Sequence, residues 1–134
     1  MKGIMTAALG ILFSLNVIAA PVVIGSPDLP DGLSASDVKK VYLGKKSKYN
    51  GGDFSVLELP TSDPIKADFH SAATNKSLSQ LEAYWSKKLF TGKGTPPPEA
   101  SQKEVIEQVA SGSQLIGYVD ESLVDGSVKV LLKL

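Results

Sequence analysis

Apolar residues occur along this chain in two patterns, as short continuous runs and as residues spaced three or four positions apart. Continuous runs at 22–25, 54–59, 115–119 and 128–134 predict four strands, because a strand covered on both faces is apolar at successive positions. Pro60 favours an end to the second run, since proline cannot donate to a central ladder. Residues 120–126 predict a turn with a short helical segment.

Four amphipathic segments between these runs predict helices, and each begins at a residue suited to cap a helix N-terminus. The caps are Ser34, Asp63, Ser77 and Ser101, and Asp37, Gln80 and Glu104 complete capping boxes three positions after the serines. Glycines at 44 and 112 are expected to end the first and last helices. The predicted buried helix residues are Val38, Val41, Tyr42, Ile65, Phe69, Leu78, Leu81, Trp85, Leu89, Val105, Ile106 and Val109.

Strands that alternate with helices predict an α/β layer structure. We expect a mostly parallel mixed sheet of about four to five strands with helices on both faces. The stretch 20–134 has the length of one domain with its own core. The glycines and prolines at 92–98 predict a stiff, extended connection between the third and fourth helices.

Residues 1–19 have the three-part pattern of a secretory signal peptide. Lys2 precedes an uncharged apolar run, and cleavage after Ala19 would leave Pro21 second in the mature chain. A membrane anchor is the alternative, but the apolar run is shorter than the roughly 20 residues that span a bilayer. We therefore expect cleavage, delivery to the periplasm and a mature chain that does not span the membrane.

The residue composition limits the kinds of binding and catalysis that this chain can support. The chain has 14 lysines against 14 acidic residues, no arginine, no cysteine and one histidine. This balance argues against nucleic-acid binding, whose phosphate contacts need an excess of positive charge. His70 has no second histidine with which to share a metal, and no serine is spaced to use it as a base. The sequence predicts neither an enzyme nor a metal or cofactor site, and places His70 at the surface or at the boundary of the core.

Three groups of residues resemble a known family. They are segment 34–48 with Val-Tyr-Leu-Gly-Lys at 41–45, Phe-Thr-Gly-Lys-Gly at 90–94, and Ile-Gly-Tyr-Val-Asp at 116–120 followed by Val-Lys-Val-Leu at 128–131. In this order they resemble segments of the periplasmic phosphate-binding proteins of ABC transporters, especially the short, single-lobe members. Proteins of that family close two α/β lobes around the ligand. The resemblance therefore implies a single type II periplasmic-binding-protein-like lobe over 20–134.

The resemblance also implies an anion site at the turn after the second strand, where the family has a Ser-Gly-Thr-Arg type sequence. Here residues 61–66 are Thr-Ser-Asp-Pro-Ile-Lys. Two hydroxyls remain, and Lys66 could act as a point charge. However, Pro64 has no N–H, and Asp63 as a helix cap would occupy the donors that an anion needs. Without arginine there is no bidentate recognition, so we expect phosphate binding to be weak.

Further site residues follow from the rule that open α/β sheets bind ligands beyond the carboxyl ends of their strands. Ser26 follows the first strand, Thr61 and Ser62 follow the second, and Tyr118 lies near the end of the third. With Lys66 they form the predicted anion site. The alternative is that Ser26 and Ser62 only form turns and Tyr118 packs in the core.

The sequence thus favours a noncatalytic, periplasmic, solute-binding-protein-like lobe with weak binding of phosphate or another small anion, related to phosphate ABC transport. The alternative is a structural or adaptor protein of the cell envelope that uses the lobe to contact an envelope or transporter protein, or a second copy of itself. Five lysines within 39–48 are expected to be solvated charges at a helix C-terminus, or else a basic patch for an acidic protein, glycan or lipid surface.

Overall fold

The computed structural model describes residues 20–46, 48–49, 52–112 and 114–134, so the predicted leader at 1–19 lies outside the described residues. The strands are β1 (Pro21–Gly25), β2 (Lys48–Tyr49), β3 (Gly52–Asp53), β4 (Ser55–Val56), β5 (Leu115–Asp120) and β6 (Lys129–Lys133). The helices are α1 (Ala35–Tyr42), α2 (Pro64–Ala73), α3 (Leu78–Phe90) and α4 (Gln102–Ser111), and a 3₁₀ turn covers Glu121–Leu123. Within these ranges, no helix has the length and apolar character needed to cross a membrane.

The main sheet has four strands in the order β4-β5-β1-β6. β1 is antiparallel to both of its neighbours, and β4 is parallel to β5. The short strands β2 and β3 form a separate antiparallel pair. The predicted α/β lobe with a mixed sheet of about four strands is confirmed.

The predicted strand direction is wrong, because only one of the three pairings in the main sheet is parallel. An apolar run indicates that both faces of a strand are covered, and helices can cover both faces of an antiparallel pair as well as of a parallel one. β1 is buried along its whole length, although it runs against both neighbours. The sequence pattern therefore predicts that the strand is buried, but it does not predict the direction in which the strand runs.

Helices cover both faces of the sheet, as predicted. On one face, the ring of Phe69 from α2 stacks on Tyr118 of β5, with the ring centroids 3.7 Å apart. On the other face, α4 lies against Gly117, where an added Cβ would stand 2.5 Å from a methyl carbon of Val105. The missing side chain at Gly117 allows α4 to approach the sheet closely, and Val105 and Val109 are completely buried there.

The helix boundaries follow the predicted caps. Ser34 and Ser77 form complete capping boxes with Asp37 and Gln80. Ser101 accepts the backbone N–H of Glu104, but the Glu104 carboxylate receives the Ser101 hydroxyl rather than a backbone N–H, so this box is half formed.

Two predictions about packing need correction. Leu89 is 50 % exposed, because α3 packs through Leu81 and Trp85 against Leu43 and its last turn extends beyond that small cluster. The strand predicted at 54–59 pairs with β5 over two residues only. The chain then changes partner: Glu58 donates its N–H to the carbonyl of Pro98, and Ala100 donates to the carbonyl of Glu58, both at 2.9 Å.

Candidate functional site

The turn that precedes α2 carries the predicted hydroxyl donors at the surface. Thr61 and Ser62 are exposed, and Asp63 is the N-cap of the helix. One carboxylate oxygen of Asp63 accepts the backbone N–H of Ile65 at 3.0 Å, and the other accepts a side-chain N–H of Gln102 at 2.9 Å. Pro64 occupies the first helical position and has no N–H. The predicted self-capping of this helix is confirmed, so its N-terminus already holds a negative charge.

Lys66 lies one turn into α2 and is 6 % exposed. Its ammonium group donates to a carboxylate oxygen of Glu99 at 3.1 Å. The bridge between Glu58 and Glu99 along the extended chain explains this pairing, because it holds the proline-rich connection beside the start of α2. The charge of Lys66 is thus balanced by a half-exposed carboxylate at the edge of the molecule.

Thr61, Lys66 and Glu99 line one end of an open groove of about 420 Å³ between the start of α2, helix α3 and the proline-rich connection. Apolar side chains, among them Trp85, and a second acidic residue, Glu82, also line this groove. A small anion at the polar end would have the hydroxyl of Thr61 and the ammonium of Lys66 as donors. It would also meet the carboxylate of Glu99, which competes with it for the same cation.

The structure brings the turn 61–63 together with the end of β5, as predicted. Gln102 connects them, since its side-chain oxygen accepts the backbone N–H of Asp120 at 2.8 Å while its nitrogen donates to Asp63. This end of the sheet therefore carries Thr61, Ser62 and, one turn further on, Lys66.

Ser26 does not join this group. It follows β1, which is antiparallel to β5, and so lies at the opposite end of the sheet. Its hydroxyl is fully buried and donates to the carbonyl of Val109 at 3.0 Å while accepting the N–H of Leu115 at 3.2 Å. The predicted convergence was wrong for Ser26 because it assumed a parallel β1. Here the hydroxyl connects β1 to the end of α4 and the start of β5.

Tyr118 is near the expected end of the sheet but points into the core. It is completely buried, and its hydroxyl donates to a carboxylate oxygen of Glu58. Burial raises the pKa of the Tyr118 hydroxyl, and the nearby charge of Glu58 raises it further. The same two causes, in the same order, raise the pKa of Tyr42. Tyr118 therefore packs and donates inside the protein, in the manner of the alternative left open by the sequence.

Glu58, His70 and Thr74 form a buried polar cluster with Tyr118 that the sequence analysis missed. His70 is completely buried, so its predicted position at the surface or boundary was wrong. Its Nε2 lies 2.9 Å from a carboxylate oxygen of Glu58, and its Nδ1 lies 3.0 Å from the hydroxyl oxygen of Thr74. One available signal was the four-residue spacing of His70 and Thr74, which places both on one face of α2.

The hydrogen bonds of this cluster fix the position of one proton of the His70 ring. The hydroxyl of Thr74 donates to the carbonyl of His70 at 3.1 Å, so the Nδ1 of His70 must be the donor to Thr74. The contact between Nε2 and Glu58 then contains one proton, held by the imidazolium or by the carboxyl group. The other oxygen of Glu58 accepts from Tyr118 and from the N–H of Leu59. All buried side-chain nitrogen and oxygen atoms of the described residues have a partner.

The cluster lacks the features of a metal or catalytic site. Glu58 and His70 supply two ligands, and no group of three or more histidine, cysteine, aspartate or glutamate side chains that could hold a metal ion occurs among the residues described. Since His70 and Tyr118 are sealed from solvent, a substrate has no access to them in this conformation. The arrangement can connect α2 to β5 and to the chain at Glu58.

Comparison with solved structures identifies the fold. An ABC-type phosphate transport receptor from Vibrio cholerae matches 84 % of this chain with a TM-score of 0.64 and 16 % identity. A protein assigned as a phosphate ABC transporter substrate-binding protein from Clostridium perfringens, solved with bound phosphate, matches 84 % with a TM-score of 0.63 and 17 % identity. The chain has the fold of one periplasmic-binding-protein-like lobe. It covers 45 % and 44 % of those two proteins, less than half of their length.

Sequence comparisons add little to this. No family model matches the chain. A stretch of 79 residues, 59 % of the chain, is 34 % identical to the methylenetetrahydrofolate–tRNA-(uracil-5-)-methyltransferase TrmFO of Streptococcus pyogenes. That stretch covers 17 % of the methyltransferase, which is too little to assign a family or an activity.

Proposed function

We propose that this chain is a noncatalytic, exported, solute-binding-protein-like lobe that binds phosphate or a similar small anion weakly. The observation that carries the proposal is the position of Thr61, Ser62 and Lys66 at one edge of the sheet, on a fold shared with phosphate transport receptors. Hydroxyl groups and an ammonium group are suitable donors for phosphate oxygens.

The local geometry supports weak rather than tight binding. Asp63 places a carboxylate on the helix N-terminus, and Glu99 is paired with the cation that the anion would use. The groove is also open, so a bound anion would remain hydrated and its hydrogen bonds would gain little from a low dielectric environment. We expect a dissociation constant of about 1 mM, equivalent to about 4 kcal/mol of binding free energy.

Export is the second part of this proposal and rests on the leader pattern at 1–19. Expression of the full chain in a Gram-negative host, followed by osmotic release of the periplasm, should yield a product that begins at Ala20. A product that keeps residues 1–19 would contradict this part of the proposal and leave the anion site untouched.

Isothermal titration calorimetry with inorganic phosphate tests the anion site. Ser62→Ala should weaken binding about threefold through the loss of one hydrogen bond, and Lys66→Met should abolish it. Ser36→Ala and Lys103→Met are the matched controls, since they make the same chemical changes at exposed positions on α1 and α4. If the unsubstituted chain gives no heat with phosphate up to about ten times the expected dissociation constant, the anion proposal is wrong.

A second candidate function is that of an envelope adaptor. The apolar part of the groove favours it, because Leu81, Trp85 and Leu89 line a surface that another protein wall could cover. This wall could belong to an envelope or transporter protein or to a second copy of the chain. Size-exclusion chromatography with light scattering separates these cases. A dimer formed only with millimolar phosphate favours a shared site, and a phosphate-independent monomer without phosphate heat favours the adaptor.

A further inference from the structure

The zero net charge of this chain conceals two regions of opposite sign. Segments 39–48 and 83–98 together contain eight of the 14 lysines and no aspartate or glutamate. The remaining residues hold six lysines and all 14 acidic side chains. A distribution this uneven creates a positive field on one part of the surface even though the total is balanced.

The two lysine-rich segments adjoin in the fold. They include the C-terminal ends of α1 and α3, which meet where the ammonium of Lys88 donates to the carbonyl of Leu43 at 3.1 Å. Gly44 also lies against Trp85, where an added Cβ would stand 3.0 Å from the indole ring. The lysines of segments 39–48 and 83–98 are therefore grouped around two adjoining helix ends, and we call this region the lysine surface.

Most of this charge is not neutralised within the protein. Lys46 is paired with Asp37 at 2.8 Å. Among the residues that the structure describes, the other seven lysines of these segments have no acidic partner: Lys39, Lys40, Lys45, Lys48, Lys87, Lys88 and Lys93. The helix dipole accounts for Lys88, which contacts a terminal carbonyl. It does not require exposed lysines at 87 and 93 as well.

An aromatic side chain projects from the same place. Phe90 is the last residue of α3 and is 93 % exposed, with Lys87 and Lys88 before it and Lys93 after it. Neighbouring Leu89 lines the groove, whereas Phe90 does not contribute to that wall. Phe90 is thus an exposed apolar side chain at a helix end, with three lysines within three positions of it in the sequence.

We propose that the lysine surface binds an anionic phospholipid bilayer, with Phe90 inserted among the acyl chains. Lysines act as point charges and attract a layer of phosphate headgroups. Bidentate recognition of the carboxylates in a defined protein site would instead favour arginine, which this chain lacks. A projecting phenyl ring can enter the soft boundary between headgroups and acyl chains, as in other interfacial proteins. The surface differs from the groove of the proposed anion site, so the two proposals stand or fall separately.

Vesicle sedimentation with the purified chain tests the proposal. We expect binding to vesicles of phosphatidylcholine and phosphatidylglycerol in about 0.1 M salt, no binding to pure phosphatidylcholine, and release in about 1 M salt, where screening is complete within a few ångströms. Inorganic phosphate at a few millimolar should not displace the protein, because the bilayer attracts the whole surface.

Paired variants separate the lysine surface from total charge. Lys87→Gln with Lys93→Gln should reduce vesicle affinity about tenfold or more, whereas Lys103→Gln with Lys133→Gln, which makes the same change in net charge elsewhere, should reduce it less than twofold. Phe90→Ser should lower the affinity several-fold, and Leu123→Ser, at another exposed apolar residue, should not. Equal effects of the two lysine pairs would overturn the proposal.

Fluorescence gives a positive test of insertion. The one tryptophan of the chain, Trp85, is buried, so its emission should not change when vesicles are added. The Phe90→Trp variant should show emission at shorter wavelength with phosphatidylglycerol vesicles. If Phe90→Ser binds vesicles as well as the unsubstituted chain does, and polyglutamate displaces the protein from them, the surface is a general patch for acidic polymers. The lipid proposal is then wrong.

Discussion

Two polar regions of this protein use similar residues for different purposes. The buried cluster around Glu58 and His70 has a hydrogen-bond partner for each of its buried polar atoms and is almost completely shielded from solvent. The turn at Thr61 and Ser62 is exposed to solvent, and Thr61 also lines a groove. The buried region is thus committed to structure, and only the exposed turn keeps donors that a ligand could use.

The comparison shows why residue type alone is a poor guide to a site. Tyr118 and Ser26 carry hydroxyl groups, as the exposed turn does. Both residues are fully buried, and their hydroxyls donate hydrogen bonds to other parts of the protein. In a buried region, loss of one partner leaves another group unsatisfied, which is expensive. At the exposed turn, water replaces a lost partner. Stability and ligand binding should therefore respond to different substitutions.

The largest effect is expected in the buried cluster. His70→Ala should lower the free energy of unfolding by about 3–5 kcal/mol, because it leaves Glu58 buried without its main partner. Urea unfolding followed by circular dichroism measures this. Glu58→Gln keeps a polar side chain of the same size and should be less damaging. A loss below about 1 kcal/mol for His70→Ala would mean that water replaces the lost partner, so that the buried cluster responds to substitution as the exposed turn does.

Tyr118→Phe removes one hydroxyl from the cluster and keeps the ring stacked on Phe69. We expect a loss of about 1–3 kcal/mol, since a buried carboxyl oxygen loses a donor. Tyr84→Phe is the matched control, because the hydroxyl of Tyr84 donates to the partly buried carbonyl of Leu43. Equal losses for the two variants would remove the distinction between the buried cluster and the surface.

Asp63→Asn tests the effect of the cap charge at the exposed turn. The amide oxygen can still cap α2, so the free energy of unfolding should change by less than about 1 kcal/mol. Removal of the negative charge from the helix N-terminus should strengthen phosphate binding about fivefold. Calorimetry on this variant and on Asp68→Asn, an exposed aspartate within α2, measures the difference. Unchanged affinity would show that the cap does not limit binding.

Asp37 provides a pH-dependent test of an exposed cap. Hydrogen bonds from Lys46, and then from Ser34, lower the pKa of Asp37 from its ordinary value near 3.8 to about 2. Because the folded pKa is the lower one, the stabilisation is present above about pH 4 and is lost as the pH falls through 2. Unfolding curves of the unsubstituted chain and Asp37→Asn should differ at pH 7 and converge near pH 2. A constant difference would contradict this assignment.

The smallest effect on stability belongs to the turn itself. Thr61→Ala and Ser62→Ala should each change the free energy of unfolding by less than about 0.5 kcal/mol, since both side chains are exposed. Thermal unfolding monitored by circular dichroism is sufficient to test this. A larger loss of unfolding free energy would show that the turn contributes to the stability of the fold.

The sequence predicted the helices and the three longer strands because local rules determine them, whereas the short pair β2 and β3 was not predicted. Ser34, Asp63 and Ser77 cap the helices that their neighbours predict, and β1, β5 and β6 follow continuous apolar runs. Strand direction was not predictable in this way. The order β5-β1-β6 joins segments almost a hundred residues apart in the sequence, and no local pattern records which way they run.

The candidate site was predictable only where it depends on local sequence. The self-capping of α2 follows from Asp63 and Pro64 alone. The pairing of Lys66 with Glu99 and that of His70 with Glu58 depend on how distant segments meet. Ser26 was misplaced for the same reason, because its end of the sheet depends on the direction of β1.

The most direct test of the central claim is a phosphate titration of the isotope-labelled chain followed by two-dimensional amide NMR. We predict progressive shifts that saturate only at millimolar phosphate and are concentrated at 61–66 and at Glu99. The amides of Ser26 and Tyr118 should not move, because their hydroxyls are committed to the core. Saturation at micromolar phosphate, or shifts centred on Ser26 or Tyr118 instead of the turn, would contradict the account.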